Sequence, residues 1–213
     1  MAERTLGVVL YPGFELLDVF GPLEAFGNLP GMVSVTMVAA QAGPVVSAQG
    51  PRAVADHGFA DAPRLDMILV PGGIGTRDVV EDRALVDWLA ARSGAAEIVM
   101  SVCTGAALLA RAGVLDGQRA TTNKAFFQWV ADQGPKVEWV RQARWVDAGK
   151  YVTSSGVSAG IDMALHVIAR LAEHDLADKR AGRELAENLA RMMEYQWHTD
   201  ADVDPFAKVW GLA

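Results

Sequence analysis

The chain has one cysteine, Cys103, and it stands where a strand-like run gives way to a helix-like one. Glu97 to Val102 is short, apolar and β-branched, as a fully buried strand is, and from Gly105 good helix formers take over. A side chain held at such a join is thrust out at the carboxyl edge of a parallel sheet, where α/β folds keep their ligands. It also faces the positive end of a helix dipole, which favours thiolate over thiol. The arrangement is the cysteine counterpart of the nucleophile elbow of Gly-x-Ser-x-Gly hydrolases. The plain alternative is a small buried hydrophobe, since free Cys is among the most buried residue types. The strand-to-helix position favours a reactive thiol.

A thiol that does chemistry needs a proton-transfer partner. Glu15 and Asp18 follow the first strand-like run, whose loop opens onto the same carboxyl edge, and they are the acids that could face Cys103. Either could also be an ordinary solvated helix acid, a reading that suits Glu15 better than Asp18, which Leu17 and Val19 flank. Pro71-Gly72-Gly73 ends another apolar run. Two glycines there allow the backbone to approach a ligand and turn an N–H towards it, as an oxyanion site requires, although an ordinary tight turn uses the same pair.

Three continuous apolar runs, Leu6–Tyr11, Leu65–Val70 and Glu97–Val102, have the character of buried central parallel strands that would position these residues. Between them the spacing predicts a helix through Phe14, Leu17 and Phe20 that Gly21-Pro22 breaks or kinks, a strand over Val33–Ala40, and a short hairpin over Val45–Asp56. Residues 77–92 form an amphipathic helix with Val80, Leu85, Trp88 and Leu89 on its apolar side. Gln118–Thr122 offers a strand, Ala125 onward a helix, Val137–Thr153 a hairpin turning at Asp147 to Lys150, and Ser158–Ala172 and Asp178–Tyr195 two helices. Gln196–Ala213 is a tail with little periodicity. This alternation gives an α/β fold: one doubly wound, flavodoxin-like domain over residues 1–213 with a largely parallel sheet and right-handed crossovers.

With 213 residues and 51% hydrophobic content, the chain suits one well-packed domain. No stretch reads as a signal peptide or a membrane span, and a lone cysteine allows no internal disulfide and no Cys-rich metal site, so a cytoplasmic protein is expected. A net charge of −7 argues against nucleic acid as the main partner.

The set LGVVLYPGFELLDVFGPLE, LDMILVPGG, SVCTGAALLARAGVLDGQRATT and SSGVSAGIDMAL resembles the DJ-1/PfpI family of the class I glutamine amidotransferase-like superfamily. Within it, Asp18, Cys103-Thr104, Met193-Glu194-Tyr195 and Pro205-Phe206 together are similar to isocyanide hydratases. The resemblance implies a homodimer needing no metal or organic cofactor and acting on a small electrophilic substrate. It further implies Cys103 as nucleophile, Asp18 as acid/base partner, and Gly73 and Thr104 as backbone donors.

One departure matters: many relatives place a His shortly after the nucleophile's helix, where this chain has Asn123. His57, His166, His174 and His198 are not placed to aim at Cys103, so a Cys-His amidase arrangement is disfavoured, whereas a carboxylate-thiol pair suffices for a polarised isocyanide carbon. The same elbow would equally serve a redox sensor with an oxidisable thiolate. The sensing half of a helix-turn-helix regulator fits less well, because the negative charge and a chain ending at Ala213 leave little for such a module. Asp200, Asp202 and Asp204 alternate like calcium ligands, but Pro205 takes the place of the required Gly and no Glu follows at the twelfth position, so they are expected to be a solvated acidic tail. Asp162 and His166, one helical turn apart, are expected to share a hydrogen bond rather than a metal.

Overall fold

The first strand, β1 (Arg4–Val9), buries Leu6, Val8 and Val9 completely, because helices cover both faces of the sheet it enters. The chain is described by a computed structural model over residues 3–213; Met1 and Ala2, where the stretch without a signal peptide begins, lie outside the described residues. After β1 come α1 (Leu16–Gly27), β2 (Val33–Ala39), the hairpin β3 (Gly43–Val46) and β4 (Arg52–Ala55), β5 (His57–Gly58) and β6 (Met67–Val70). Next are α2 (Thr76–Val79), α3 (Arg83–Ala95), β7 (Ile98–Ser101), α4 (Gly105–Arg111), β8 (Arg119–Ala120), α5 (Phe127–Gln133) and β9 (Glu138–Trp139). β10 (Trp145–Ala148), β11 (Tyr151–Ser154), α6 (Ala159–Leu176), α7 (Lys179–Met192) and α8 (Pro205–Val209) complete it.

Seven strands pair in the order β10-β11-β7-β6-β1-β2-β5, and every neighbouring pair is parallel except β10 with β11. The three apolar runs named from the sequence are therefore central: β6 lies between β1 and β7, and each of those has a further strand outside it. From β1 the chain steps outward to β2, whereas from β6 it steps the other way to β7. The loops after β1, β6 and β7 thus meet at a topological switch point on the carboxyl edge.

Several local expectations are corrected. Gly21-Pro22 does not end α1, which runs on to Gly27 with Pro22 inside it. A mid-helix proline costs about 3 kcal/mol. Burying Val19 and Phe26 at about 1.5–3 kcal/mol each, together with Pro22 and Ala25, outweighs that. The packing partner is α6: a side chain on Gly160 would meet Val102 at 2.8 Å and Pro22 at 3.4 Å, so glycine lets the two helices close over the sheet. Phe14 lies before α1 and is fully buried, leaving only Leu17 and Phe20 exposed, at 41% and 42%. The helix expected over 77–92 is split, because Asp82 caps a new start through Ala84 N–H at 2.9 Å. Residues 137–153 do not form one hairpin; β9 joins β8 in a separate ladder, and the turn at Gly149 connects β10 to β11. The tail holds a helix, since Asp204 is buried, accepts Phe206 N–H at 2.9 Å and so caps α8 with Pro205 at its first position.

Candidate active site

Cys103 lies two residues past β7 and two before α4, with φ at +58°, in the left-handed region that non-glycine residues seldom enter. Hydrogen bonds on either side hold it there: its N–H donates to Ser155 C=O at 3.1 Å, and its own carbonyl accepts from Thr122 Oγ1 at 2.7 Å. The loop after β6 crosses directly in front of the elbow. A Cβ on Gly72 would stand 2.5 Å from Thr104 N and 2.8 Å from Cys103 Cβ, so only glycine permits the approach.

Asp18, in the first turn of α1, is fully buried behind this loop and accepts Gly72 N–H on Oδ2 at 2.8 Å. Its Oδ1 is buried without a well-formed hydrogen bond. Burial raises the Asp18 pKa to about 8, and the charge of Glu15 adds to the rise; the Gly72 N–H and the Cys103 thiol oppose it. Burial also pushes the Cys103 thiol well above its usual range, with Asp18 reinforcing the shift. The N–H groups of Thr104 and Val157 and the amide of Asn123 work the other way, towards thiolate. Desolvation outweighs these donors and the end of the short helix α4, so the low-pKa thiol expected from the dipole is not what the fold produces. Burial thus favours the neutral form of both groups.

The donors around the sulfur come from three loops. Asn123 Nδ2 donates to Cys103 Sγ at 3.1 Å, while its Oδ1 accepts from Phe126 N–H at 3.2 Å, which orients the amide. Sequence reasoning marked Asn123 only as standing in place of a His; that substitution was the available signal for a residue that touches the nucleophile. Val157 was missed altogether. It is β-branched yet has φ at +43°, and it sits between Gly156 and the start of α6. No local pattern announces such a conformation, because propensity argues against it.

Gly73 sits with φ at +133° and lines the site, but its N–H donates to Thr104 Oγ1 at 3.1 Å, and Gly72 N–H serves Asp18. Thr104 Oγ1 also meets Thr76 Oγ1 at 2.9 Å, which in turn contacts Tyr11 OH at 2.9 Å. The Gly73 N–H expected to face a ligand therefore buttresses the elbow instead, and that of Gly72 holds the acid. Glu15 is half-buried, lines the site and accepts Gln49 Nε2 at 2.6 Å. The histidines are engaged elsewhere: His166 with Asp147 at 2.8 Å, His198 N–H with Asp162 at 2.9 Å, and His57 and His174 beside Asp61 and Asp175. The expected Asp162–His166 bond is not formed, because Arg144 takes Asp162.

A cavity of about 280 Å³ opens on Cys103 and Thr104. Ile74, Phe126, Trp129 and Val157 give it apolar walls, and Glu15 and Arg77 are its charged residues. A larger cavity, about 360 Å³, is bounded by Leu10, Tyr11, Val45, Phe59 and Leu85 and contains no nucleophile. Among the described residues no helix is long and apolar enough to cross a membrane.

The family model of the DJ-1/PfpI family matches residues 4–170. Among curated proteins, an isonitrile hydratase of Pseudomonas putida is 36% identical over 190 residues, which cover 89% of this chain and 78% of that one. The HTH-type transcriptional regulator GbdR of Pseudomonas aeruginosa is 29% identical over 198 residues, 91% of this chain, which spans about half the length of the regulator (51%). A THiJ/PfpI family protein from Pseudomonas syringae superposes with a TM-score of 0.81 at 31% identity, covering 96% of this chain and 78% of that one.

Proposed function

The chain belongs to the DJ-1/PfpI family, and from that premise we propose that it is a cysteine-dependent hydro-lyase that adds water to an isocyanide and releases an N-substituted formamide. The observation that carries this reading is the pairing of Cys103, in the wall of a largely apolar cavity, with a buried Asp18 whose pKa is lifted to about 8. The 36% identity to an isonitrile hydratase supports it.

In the proposed reaction the thiol adds across the terminal carbon of R–N≡C. Sulfur bonds to carbon, one proton reaches that carbon, and the product is a thioimidate, R–N=CH–S–Cys103. A protonated Asp18 supplies the carbon-bound proton and recovers one from the thiol, so no free thiolate is needed beforehand and the raised pKa of both groups suits the step. Asp18 next passes its proton to the imine nitrogen and, as the carboxylate, takes one from water as the water attacks the thioimidate carbon. Collapse of the adduct breaks the C–S bond, releasing R–NH–CHO and the thiol. Charge developing at sulfur is met by the N–H groups of Thr104 and Val157 and by Asn123. Gly73 contributes to the site through its close backbone, since Thr104 already occupies its N–H.

The redox-sensing alternative requires a thiolate at neutral pH, and burial of Cys103 works against that. The proposal includes a homodimer in the cytoplasm, with the exposed Leu17 and Phe20 of α1 as contact surface. Sedimentation at micromolar concentration is expected to give a dimer that Phe20→Glu dissociates.

The enzymatic test follows formamide production by NMR. Cys103→Ala should abolish turnover, and Asp18→Asn should lose roughly 10²-fold or more while its thiol still alkylates. Turnover by Cys103→Ala would sink the reading, and wild-type turnover by Asp18→Asn would remove Asp18 from its role.

A further inference from the structure

Arg77 lies in the wall of the cavity that holds Cys103. Its guanidinium stacks over Phe126, 4.9 Å from the ring centroid, and lies 5.5 Å from the ring of Trp129. Among the described residues it forms no salt bridge and no side-chain hydrogen bond; the carboxylate in the same wall, Glu15, accepts from Gln49 instead, and its charge raises the Asp18 pKa. The wall of one cavity thus carries both the thiol of Cys103 and a cation resting on an aromatic platform.

A guanidinium resting against two aromatic rings is partly positioned in advance, so binding an anion costs it less entropy than an unsupported side chain would lose. Its N–H groups have no hydrogen-bond partner among the described residues, which leaves them free to take a carboxylate with two parallel N–H···O bonds.

Building on the reading of Cys103 as the nucleophile of this cavity, we infer that the substrate is an anionic one: an isocyanide whose apolar, preferably planar body lies along Phe126 and Trp129 and ends in a carboxylate that Arg77 receives. Arg77 then determines specificity through binding and takes no part in the bond changes at Cys103.

Matched probes test this. 4-Isocyanobenzoate and its methyl ester share one body and differ in charge. Wild-type protein should show a kcat/KM for the carboxylate roughly tenfold or more above that for the ester, the scale of one charge-assisted hydrogen bond. The preference should reside in KM, disappear in Arg77→Met, and survive only in part in Arg77→Lys, which keeps the charge but not the two-pronged edge. Equal kcat/KM for the two probes, or a preference that persists in Arg77→Met, would overturn the inference. A second pair separates it from the reaction itself: 4-(bromomethyl)benzoate and 4-(bromomethyl)benzamide alkylate Cys103 without any hydration chemistry, and intact mass reports both rates. The carboxylate-to-amide rate ratio should fall about tenfold from wild type to Arg77→Met. If that ratio falls while no isocyanide is hydrated, Arg77 is an anion site and the hydratase reading fails; if it does not fall, the Arg77 inference fails whatever the isocyanides do.

Discussion

Asp18 has a carboxyl whose pKa rises from 3.8 to about 8 on folding, chiefly through burial, so its contribution to stability changes with pH in a definite direction. Between those values the folded state holds a proton that the unfolded chain releases. Stability is therefore fully present below about pH 4 and falls as pH rises through about 8. Asp18→Asn keeps an oxygen for Gly72 N–H and removes the titration. Thermal unfolding should show the variant gaining on wild type as pH rises from 4 to 9, and parallel pH profiles would contradict the burial argument. At the sulfur, Asn123 donates at 3.1 Å and lowers the thiol pKa. Losing one hydrogen bond is worth about 1 kcal/mol, so Asn123→Ala should slow alkylation of Cys103 by iodoacetamide roughly fivefold at fixed pH and shift its pH–rate curve upward. An unmoved curve would mean that the amide only fills space.

At the scale of elements, the site depends on how closely the loop after β6 approaches the turn between β7 and α4. Gly72 is the point of contact, and its absent Cβ would collide with Thr104 N at 2.5 Å, Thr104 Oγ1 at 2.6 Å and Cys103 Cβ at 2.8 Å. Backbone cannot yield there, because Gly72 N–H and C=O are both engaged, with Asp18 Oδ2 at 2.8 Å and Glu15 N–H at 2.8 Å. Gly72→Ala should cost about 1–3 kcal/mol, the range for forced overpacking, and should also separate Asp18 from Cys103. Urea denaturation measures the first effect and Cys103 alkylation the second. A stable variant with unaltered alkylation would show that the two loops have room to spare.

The whole molecule is closed by Asp162, which is fully buried in α6 and gathers distant segments. It accepts Arg144 Nε at 2.7 Å and Nη2 at 2.6 Å, Tyr195 OH at 3.1 Å and His198 N–H at 2.9 Å. Arg144 N–H in turn holds Ala201 C=O at 2.8 Å, and its carbonyl receives Ser155 N–H at 2.8 Å. The clasp thus joins the segment before α8 to the loop beside the nucleophile. Arg144→Met would strand the Asp162 charge and should destabilise by about 3–5 kcal/mol, while Arg144→Met combined with Asp162→Leu should recover most of that loss. Equilibrium unfolding of the single and double variants decides it; a double variant as unstable as the single would mean that the pair supplies more than charge compensation.

The amino-acid sequence by itself determined the features whose signal is contiguous. Continuous apolar runs marked β1, β6 and β7 as central, since a strand buried on both faces has no polar face to show. The passage from β-branched residues into helix formers marked the turn at Cys103, and an acid between Leu17 and Val19 marked Asp18. Features that require distant segments to meet were decided by tertiary structure alone. Pro22 stays within α1 because α6 packs upon it, a contact 138 residues away in sequence at Gly160. The thiol pKa goes up rather than down because desolvation is a property of everything packed around Cys103, whereas the helix dipole is local. Asn123, Val157 and Arg77 reach the cavity from three separate loops and helices, each unremarkable in its own stretch. Backbone torsion at Val157 opposes its side chain's preference, so only the surrounding contacts, and no pattern of residues along the chain, could place its N–H at the sulfur.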